Sequence, residues 1–222
     1  MSMKQVEIIY EDKKILILNK PEGMVTTKEG GNVNTIQDWL LDQFSWSKKV
    51  VRAGIAHRLD KGTSGILVVA KDNDSLNFLK RQFKNRSIYK EYLALIEGEV
   101  SYRGEIKVPI GRSKYSFLKW AVDVDGKEAW TKFERVKVYE KEGKKYSLVK
   151  IVLKTGRTHQ IRVHFSYLSW PLVGDSLYGG KRDLIARPFL HSKKIKLMHP
   201  DEHEFECEAE ISQDLKYVLD EL

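Results

Sequence analysis

Short apolar runs separated by polar turns recur along the chain, and few of them are long enough to be helices. Residues 6–10 and 15–18 read as strands joined through Glu11-Asp12-Lys13-Lys14, which predicts a hairpin near the start. Ile66-Leu67-Val68-Val69-Ala70 is apolar without interruption, as expected of a buried strand. Further strands are predicted over residues 89–96, 105–109, 117–122, 128–139 and 146–153, with Asp125-Gly126 as the hairpin turn between two of them. Helical spacing occupies three stretches. Asn34 is placed to cap the first, with Gln37 in the capping-box position and Ile36, Leu40 and Phe44 repeating on one face. Residues 72–86 turn Leu76, Leu79 and Phe83 inward and carry Lys80, Arg81, Lys84 and Arg86, a basic character that suits a solvated face or a polyanion equally. After a sharp turn permitted by Gly156, Thr158 is placed to cap the third. There Ile161, Phe165 and Leu168 fall at i, i+4 and i+7 and leave Arg162 pointing in a different direction. Many strands joined by short turns predict an α+β fold: a mixed, largely antiparallel sheet with flanking helices.

Composition adds three constraints. The 222 residues carry a formal charge of +8, which favours a polyanionic partner. One cysteine, Cys207, rules out an intrachain disulfide framework and suits a reducing compartment. Residues 1–5 lack an apolar signal core and no apolar stretch reaches the length of a membrane span, so a soluble cytoplasmic protein is expected. Prolines and glycines are scattered and no repeat is evident, so a single domain over residues 1–222 is expected.

The densest chemistry lies just before the apolar run. His57 to Gly65 read H-R-L-D-K-G-T-S-G, and an extended backbone there puts Arg58 and Asp60 on one face with His57 and Leu59 on the other. Alone, such an R-x-D is ordinarily a surface ion pair. The segment closely resembles the catalytic block of the RluA-type pseudouridine synthases, H-R-L-D-x-x-T-S-G. Asn19-Lys20-Pro21-Glu22-Gly23 is similar to that family's N-K-P-x-G signature, and Arg52-Ala53-Gly54-Ile55 to the stretch leading into its catalytic loop. Tyr89 to Ala94 resembles its tyrosine-bearing strand and Lys154 to His164 its arginine motif. Gly174-Asp175, Tyr178-Gly179 and Leu190-His191 follow in the expected order. Trp120 stands where a methionine is more usual, and residues 209–212 lack a proline often found there, departures that bear on the substrate more than on the chemistry.

The resemblance implies a synthase fold with a central RNA-binding cleft, structured RNA as the partner, and an isomerase that turns uridine into pseudouridine. It nominates Asp60 as catalytic nucleophile or base, Tyr89 as the ring against uracil, and Arg162 as the cation that pairs with Asp60. It also makes Arg58 the wedge that fills the space of a flipped base and Ile161 a wall of the uracil pocket, with His57 among the substrate-binding residues. Lys80, Arg81 and Lys84 are expected to contact RNA. From spacing alone, Arg162 could equally belong to a fold-stabilising buried salt bridge, and Tyr89 to an ordinary strand. The reaction breaks the N1–C1′ bond, rotates uracil and joins C5 to C1′. It involves neither redox change nor an external donor, so no cofactor or metal is expected. Asp60 could attack C1′ or remove the 2′ proton, and the sequence does not choose. Extruding the base costs about a few kcal/mol.

Other chemistries fit worse. The kinase order is H-R-D, and neither a glycine-rich phosphate loop nor D-F-G is present. His199, His203 and Cys207 fall at i, i+4 and i+8, but Pro200 and the Phe205-Glu206-Cys207 setting indicate a turn and a strand rather than a helical metal site. His159 and His164 read as hydrogen-bonded structural groups. A non-catalytic RNA-binding protein of the same fold would have lost Asp60, Tyr89 or Arg162, and all three are present. The core signature begins near Asn19, so no small RNA-binding domain is expected ahead of it. Target choice then falls to residues 28–34, 112–124 and 178–187, with ribosomal or transfer RNA as substrate and a monomer as the working form.

Overall fold

The computed structural model describes residues 6–28 and 34–222. Among them run β1 (Glu7–Glu11), β2 (Ile15–Lys20), α1 (Ile36–Gln43), β3 (Ser64–Ala70), α2 (Asn73–Asn85), β4 (Tyr89–Glu97), β5 (Arg103–Ile106) and β6 (Ile110–Arg112). There follow β7 (Trp120–Val122), β8 (Thr131–Lys141), β9 (Lys144–Leu153), α3 (Gln160–Tyr167), β10 (Leu190–Met198), β11 (Glu204–Glu208) and α4 (Gln213–Asp220). They divide into two compact units, one of the described residues up to Tyr89 with Ser192–Ser212, the other of Lys90–His191 with Gln213–Leu222.

In the first unit the strand order is β1-β2-β3-β10, with β11 antiparallel to β10. β1 and β2 form the hairpin expected from the alternation, and β2 pairs antiparallel with β3 along its whole length. All seven residues of β3 are buried, which is why this strand reads as an unbroken apolar run rather than an alternating one. Ile66, Val68 and Ala70 pack with Ile15 and Ile17 of β2 and with Leu76 and Leu79 of α2. Each such aliphatic side chain contributes about 1.5–3 kcal/mol when fully buried. Gly65 is required where β3 meets β10: its φ is +106°, and a Cβ there would lie 2.3 Å from the Ser192 carbonyl oxygen. On β10, Lys194 and Lys196 pair with Glu206 of β11, while Ile195 and Leu197 turn into the core.

The second unit has the order β4-β9-β8-β5, every pairing antiparallel. Leu95, Tyr146 and Leu148 form a core with Phe189 and with Leu215 and Val218 of α4. Arg187 holds α4 through a two-pronged pair with Asp214 at 2.7 and 2.9 Å. The α+β, largely antiparallel architecture expected from the sequence is what the chain adopts, and no helix among the described residues is long and apolar enough to cross a membrane.

Three local expectations fail, each for a stated reason. Thr35, not Asn34, caps α1: its hydroxyl accepts from Asp38 N–H and the Asp38 carboxylate reaches back to Thr35 N–H, while Asn34 sits at φ 62° and Gln37 instead accepts from Lys28 N–H. Thr158 caps nothing. The cap position of α3 is His159 in the left-handed region, and the turn before it is organised by the buried Gln160 side chain, which accepts from Arg157 N–H and the Thr155 hydroxyl. Nor does Asp125-Gly126 join two paired strands. β7 pairs with β6, a strand too short to be read from the sequence, and the turn returns Lys127 to Ile110.

Candidate active site

The approach to Asp60 is shaped by backbone and by two side chains. Arg52 and Ala53 lie in the left-handed region (φ 54° and 52°), which swings the chain so that Ile55 bridges Val69 and Ala56 N–H donates to the Val68 carbonyl. His57 then extends the ladder with its ring: Val68 N–H donates to Nε2 at 3.0 Å, and the imidazole stacks on Phe83 of α2 with centroids 4.7 Å apart. With Nε2 accepting, a neutral His57 carries its proton on Nδ1. Leu59 is buried and held at both backbone groups by one hydroxyl, since its N–H donates to Thr26 Oγ1 (3.1 Å) and Thr26 Oγ1 donates to its carbonyl (2.8 Å). Arg58 is thereby turned to solvent and Asp60 is left half-exposed, the alternation expected from the sequence. Asp60 closes a turn through its carbonyl, which accepts from Thr63 N–H at 3.1 Å.

The N-K-P-E-G segment supports that turn. Gly23 N–H donates to the Lys61 carbonyl at 2.7 Å. Lys20, fully buried, donates from Nζ to the carbonyls of Pro21 and Met24 at 2.9 Å each, so a buried ammonium braces the loop from inside. Neither role is legible in the sequence, because Lys20 turns to the carbonyls of its own loop only where the fold buries its side chain, and Thr26 meets Leu59 from 33 residues away. Tyr89, half-buried at the start of β4, has the Lys196 ammonium 6.0 Å from its ring centroid.

Arg162 belongs to the second unit and is 8% exposed. Its Nε and Nη2 donate to the two carboxylate oxygens of Asp175 at 2.7 and 2.8 Å, a bidentate pair of the strongest hydrogen-bonding kind. Its guanidinium also lies 4.8 Å from the ring centroid of Tyr178. The Tyr178 hydroxyl accepts from Trp120 N–H at 2.9 Å and bonds His159 Nδ1 at 2.8 Å. The G-D-x-x-Y-G motif thus grips the arginine. Gly174 is needed beside Asp175 because a Cβ there would meet the Arg187 carbonyl oxygen at 2.0 Å, at φ +79°. Ile161, next to Arg162, is buried in the first turn of α3. His164 is buried too, with Nδ1 against the Thr131 hydroxyl (2.9 Å) and Nε2 against the Val108 carbonyl (3.0 Å), and burial pushes its pKa down. His159 and His164 are therefore hydrogen-bonded groups, as expected.

On α2 the inward face is Leu76 and Leu79, Lys80 is half-buried, and Arg81, Lys84 and Arg86 are exposed. His199 and His203 stack across the turn between β10 and β11, and Cys207 lies in β11, so the i, i+4, i+8 spacing falls on no helix. Of the three loops expected to choose a target, residues 29–33 lie outside the described residues.

Fold and motifs together define a pseudouridylate-synthase architecture. The chain superposes on the human RNA Pseudouridylate Synthase Domain Containing 1 with a TM-score of 0.79 and 28% identity, covering 95% of this chain and 85% of that one. The human RNA Pseudouridylate Synthase Domain Containing 4, at 21% identity and TM-score 0.74, shares the fold. Residues 14–167 match the family model for RNA pseudouridylate synthases. Over 98% of its length the chain is 36% identical to a protein named Uncharacterized RNA pseudouridine synthase YlyB of Bacillus subtilis, spanning 73% of that protein. Over 96% it is 38% identical to the Ribosomal large subunit pseudouridine synthase D of Neisseria meningitidis, spanning 60% of it. The chain belongs to the RNA pseudouridylate synthase family, enzymes that isomerise uridine to pseudouridine, and the RluA-type resemblance read from its motifs is borne out.

Proposed function

We propose that this protein isomerises specific uridines of large-subunit ribosomal RNA, acting in the cytoplasm as a monomer, with Asp60 as the catalytic carboxylate. The observation that carries the assignment to Asp60 is the way its segment is held. Leu59 and His57 fix the backbone on either side of Arg58, so the segment that presents the partly exposed Asp60 carboxylate is held in place through its main chain. The names of several relatives favour ribosomal RNA, and the charge of +8 suits any polyanion.

In this reaction Asp60 either attacks C1′, displacing uracil, or removes the 2′ proton to give a glycal. Uracil then rotates and C5 bonds to C1′, with cleavage of the Asp60–C1′ bond on the first route or return of the 2′ proton to C2′ of the glycal on the second; the C5 proton leaves, and N1 ends protonated. Tyr89 serves the uracil ring, aiding removal of the C5 proton, while Ile161 and His57 contribute to the walls around the nucleotide. Arg162, oriented by Asp175, supplies the cation that the family resemblance pairs with Asp60. Arg58 replaces the extruded base in the stack, and Lys80, Arg81 and Lys84 hold phosphates.

The decisive experiment uses Asp60→Asn, which keeps shape and hydrogen bonding but removes the ionisable group. Single-turnover assays on ribosomal RNA from a strain lacking this gene should show no pseudouridine formed, with RNA affinity little changed. Product formed by the pure variant would remove Asp60 from the mechanism. Restoration by the wild type of a missing pseudouridine in transfer RNA alone would overturn the ribosomal substrate.

A further inference from the structure

The turn between β6 and β7 carries an apolar group that the fold does not use. Tyr115 is 99% exposed, Phe117 89% and Leu118 73%. Single exposed apolar residues are ordinary, whereas three within four positions of one turn form a patch that calls for an occupant. The turn itself is built. Ser113 N–H donates to the Lys119 carbonyl and Lys119 N–H to the Ser116 carbonyl, both at 3.1 Å. Ser113 and Ser116 hydroxyls accept from Tyr115 and Leu118 N–H. Arg112 spans the hairpin, its guanidinium 5.4 Å from the Trp120 ring centroid and donating to the Phe117 carbonyl. The backbone that carries the rings is thus ordered, which reduces the conformational entropy a ligand must remove.

The charge of the hairpin selects the occupant. No acidic residue occurs from 106 to 122, while Lys107, Arg112, Lys114 and Lys119 do. The nearest acids lie at the hairpin's base rather than its tip: Glu105, which pairs with Lys107, and Asp123 and Asp125 in the turn that follows β7. A protein partner fits poorly. Stable protein interfaces bury about 800 Å² on each side and are depleted in lysine at their centres, and three side chains flanked by lysines meet neither condition. Flat rings between cations are the arrangement that binds unpaired nucleotides, in which bases stack on aromatic faces and lysines take the phosphates.

We propose that the β6–β7 tip is a stacking platform for unpaired nucleotides of the RNA substrate, Tyr115 and Phe117 each taking a base face and Lys114 and Lys119 the adjoining phosphates. The proposal rests on the RNA-modifying function above and adds a mode of recognition at one of the three loops expected to choose the target.

The probe is a short, unstructured, fluorescein-labelled oligoribonucleotide, tested alone and annealed to its complement. Wild-type protein should prefer the unpaired strand. Tyr115→Ala with Phe117→Ala should weaken that binding about tenfold or more, leaving the slope of log K against log salt unchanged, because stacking releases no counterions. Tyr115→Phe with Phe117→Tyr should bind as wild type does. Lys114→Ala and Lys119→Ala should each lower the slope by about 0.7. Equal affinity of the double-alanine variant overturns the platform, as does wild-type protein that fails to bind the strand or prefers the duplex. Ring-dependent binding of a protein with unchanged RNA affinity overturns it too. If pseudouridine forms and the rings do not matter, the platform fails alone. If the rings matter and wild type modifies no RNA, the proposed function fails and the platform stands.

Discussion

Asp60 and Arg162, the two residues on which the proposed chemistry depends, are held by opposite means. The Asp60 segment is fixed through its backbone: an imidazole on the β3 ladder, a threonine hydroxyl on Leu59, and a half-exposed carboxylate directly after them. Arg162 is fixed through its side chain, buried, gripped at two nitrogens by Asp175 and lying against the Tyr178 ring. The difference shows in what each can lose. A backbone-held residue can be changed at its side chain with little damage to the fold. A side-chain-held charge in a buried pair leaves its partner uncompensated when removed.

That contrast breaks first at Asp175. Asp175→Ala deletes the bidentate partner of a buried guanidinium and should destabilise the second unit by about 3–5 kcal/mol, read from urea denaturation. If the loss is below about 1 kcal/mol, Arg162 is not held as described. Thr26→Val removes the hydroxyl that serves both Leu59 backbone groups and should cost about 1–3 kcal/mol. Turnover should fall as well, because Asp60 is then carried on a loosened segment; full activity with the stability loss would separate the segment's position from its function.

Arg58→Ala tests the exposed half of the comparison. It should alter stability by no more than about 0.5 kcal/mol, the usual range for surface changes. As a wedge it should slow reaction on a structured stem-loop far more than on a loosened RNA presenting the same uridine, since an unstacked base spares about a few kcal/mol of flipping. Equal proportional losses on both RNAs would end the wedge assignment.

The smallest effect is expected with pH. Burial holds the His164 pKa below its ordinary value of 6.5. The unfolded chain therefore binds its proton first as pH falls, so this contribution is complete above about 6.5 and is lost on acidification from there toward the lower folded value. His164→Gln should show a shallower decline in denaturation midpoint between neutral and mildly acidic pH than the wild type. Identical declines would place the acid sensitivity elsewhere.

The alternation of His57-Arg58-Leu59-Asp60, the buried character of β3, the first hairpin and the helix over α2 were all legible in the sequence. Each depends on a period within a few residues or on an apolar run long enough to have one interpretation. Where the start of a helix was decided by a competing contact, the same approach failed. Thr35 displaced Asn34 because Asp38 completes its capping box, and Thr158 gave way because the Gln160 side chain organises the turn before α3. Strand β6 escaped notice because three residues carry too little pattern.

What the sequence by itself determined is the chemistry and the fold class, since collinear motifs from Asn19 to His191 and strand-like periodicity are both properties of the linear chain. What only the tertiary structure decided is how the charges are held. That Lys20 sits buried on two carbonyls, that Thr26 clamps Leu59 from 33 residues away, and that Arg162 is bound by Asp175 rest on contacts whose energy exists only once the groups share a desolvated space. No local period encodes such a meeting, because the partners are brought together by burial of apolar residues that lie elsewhere in the chain.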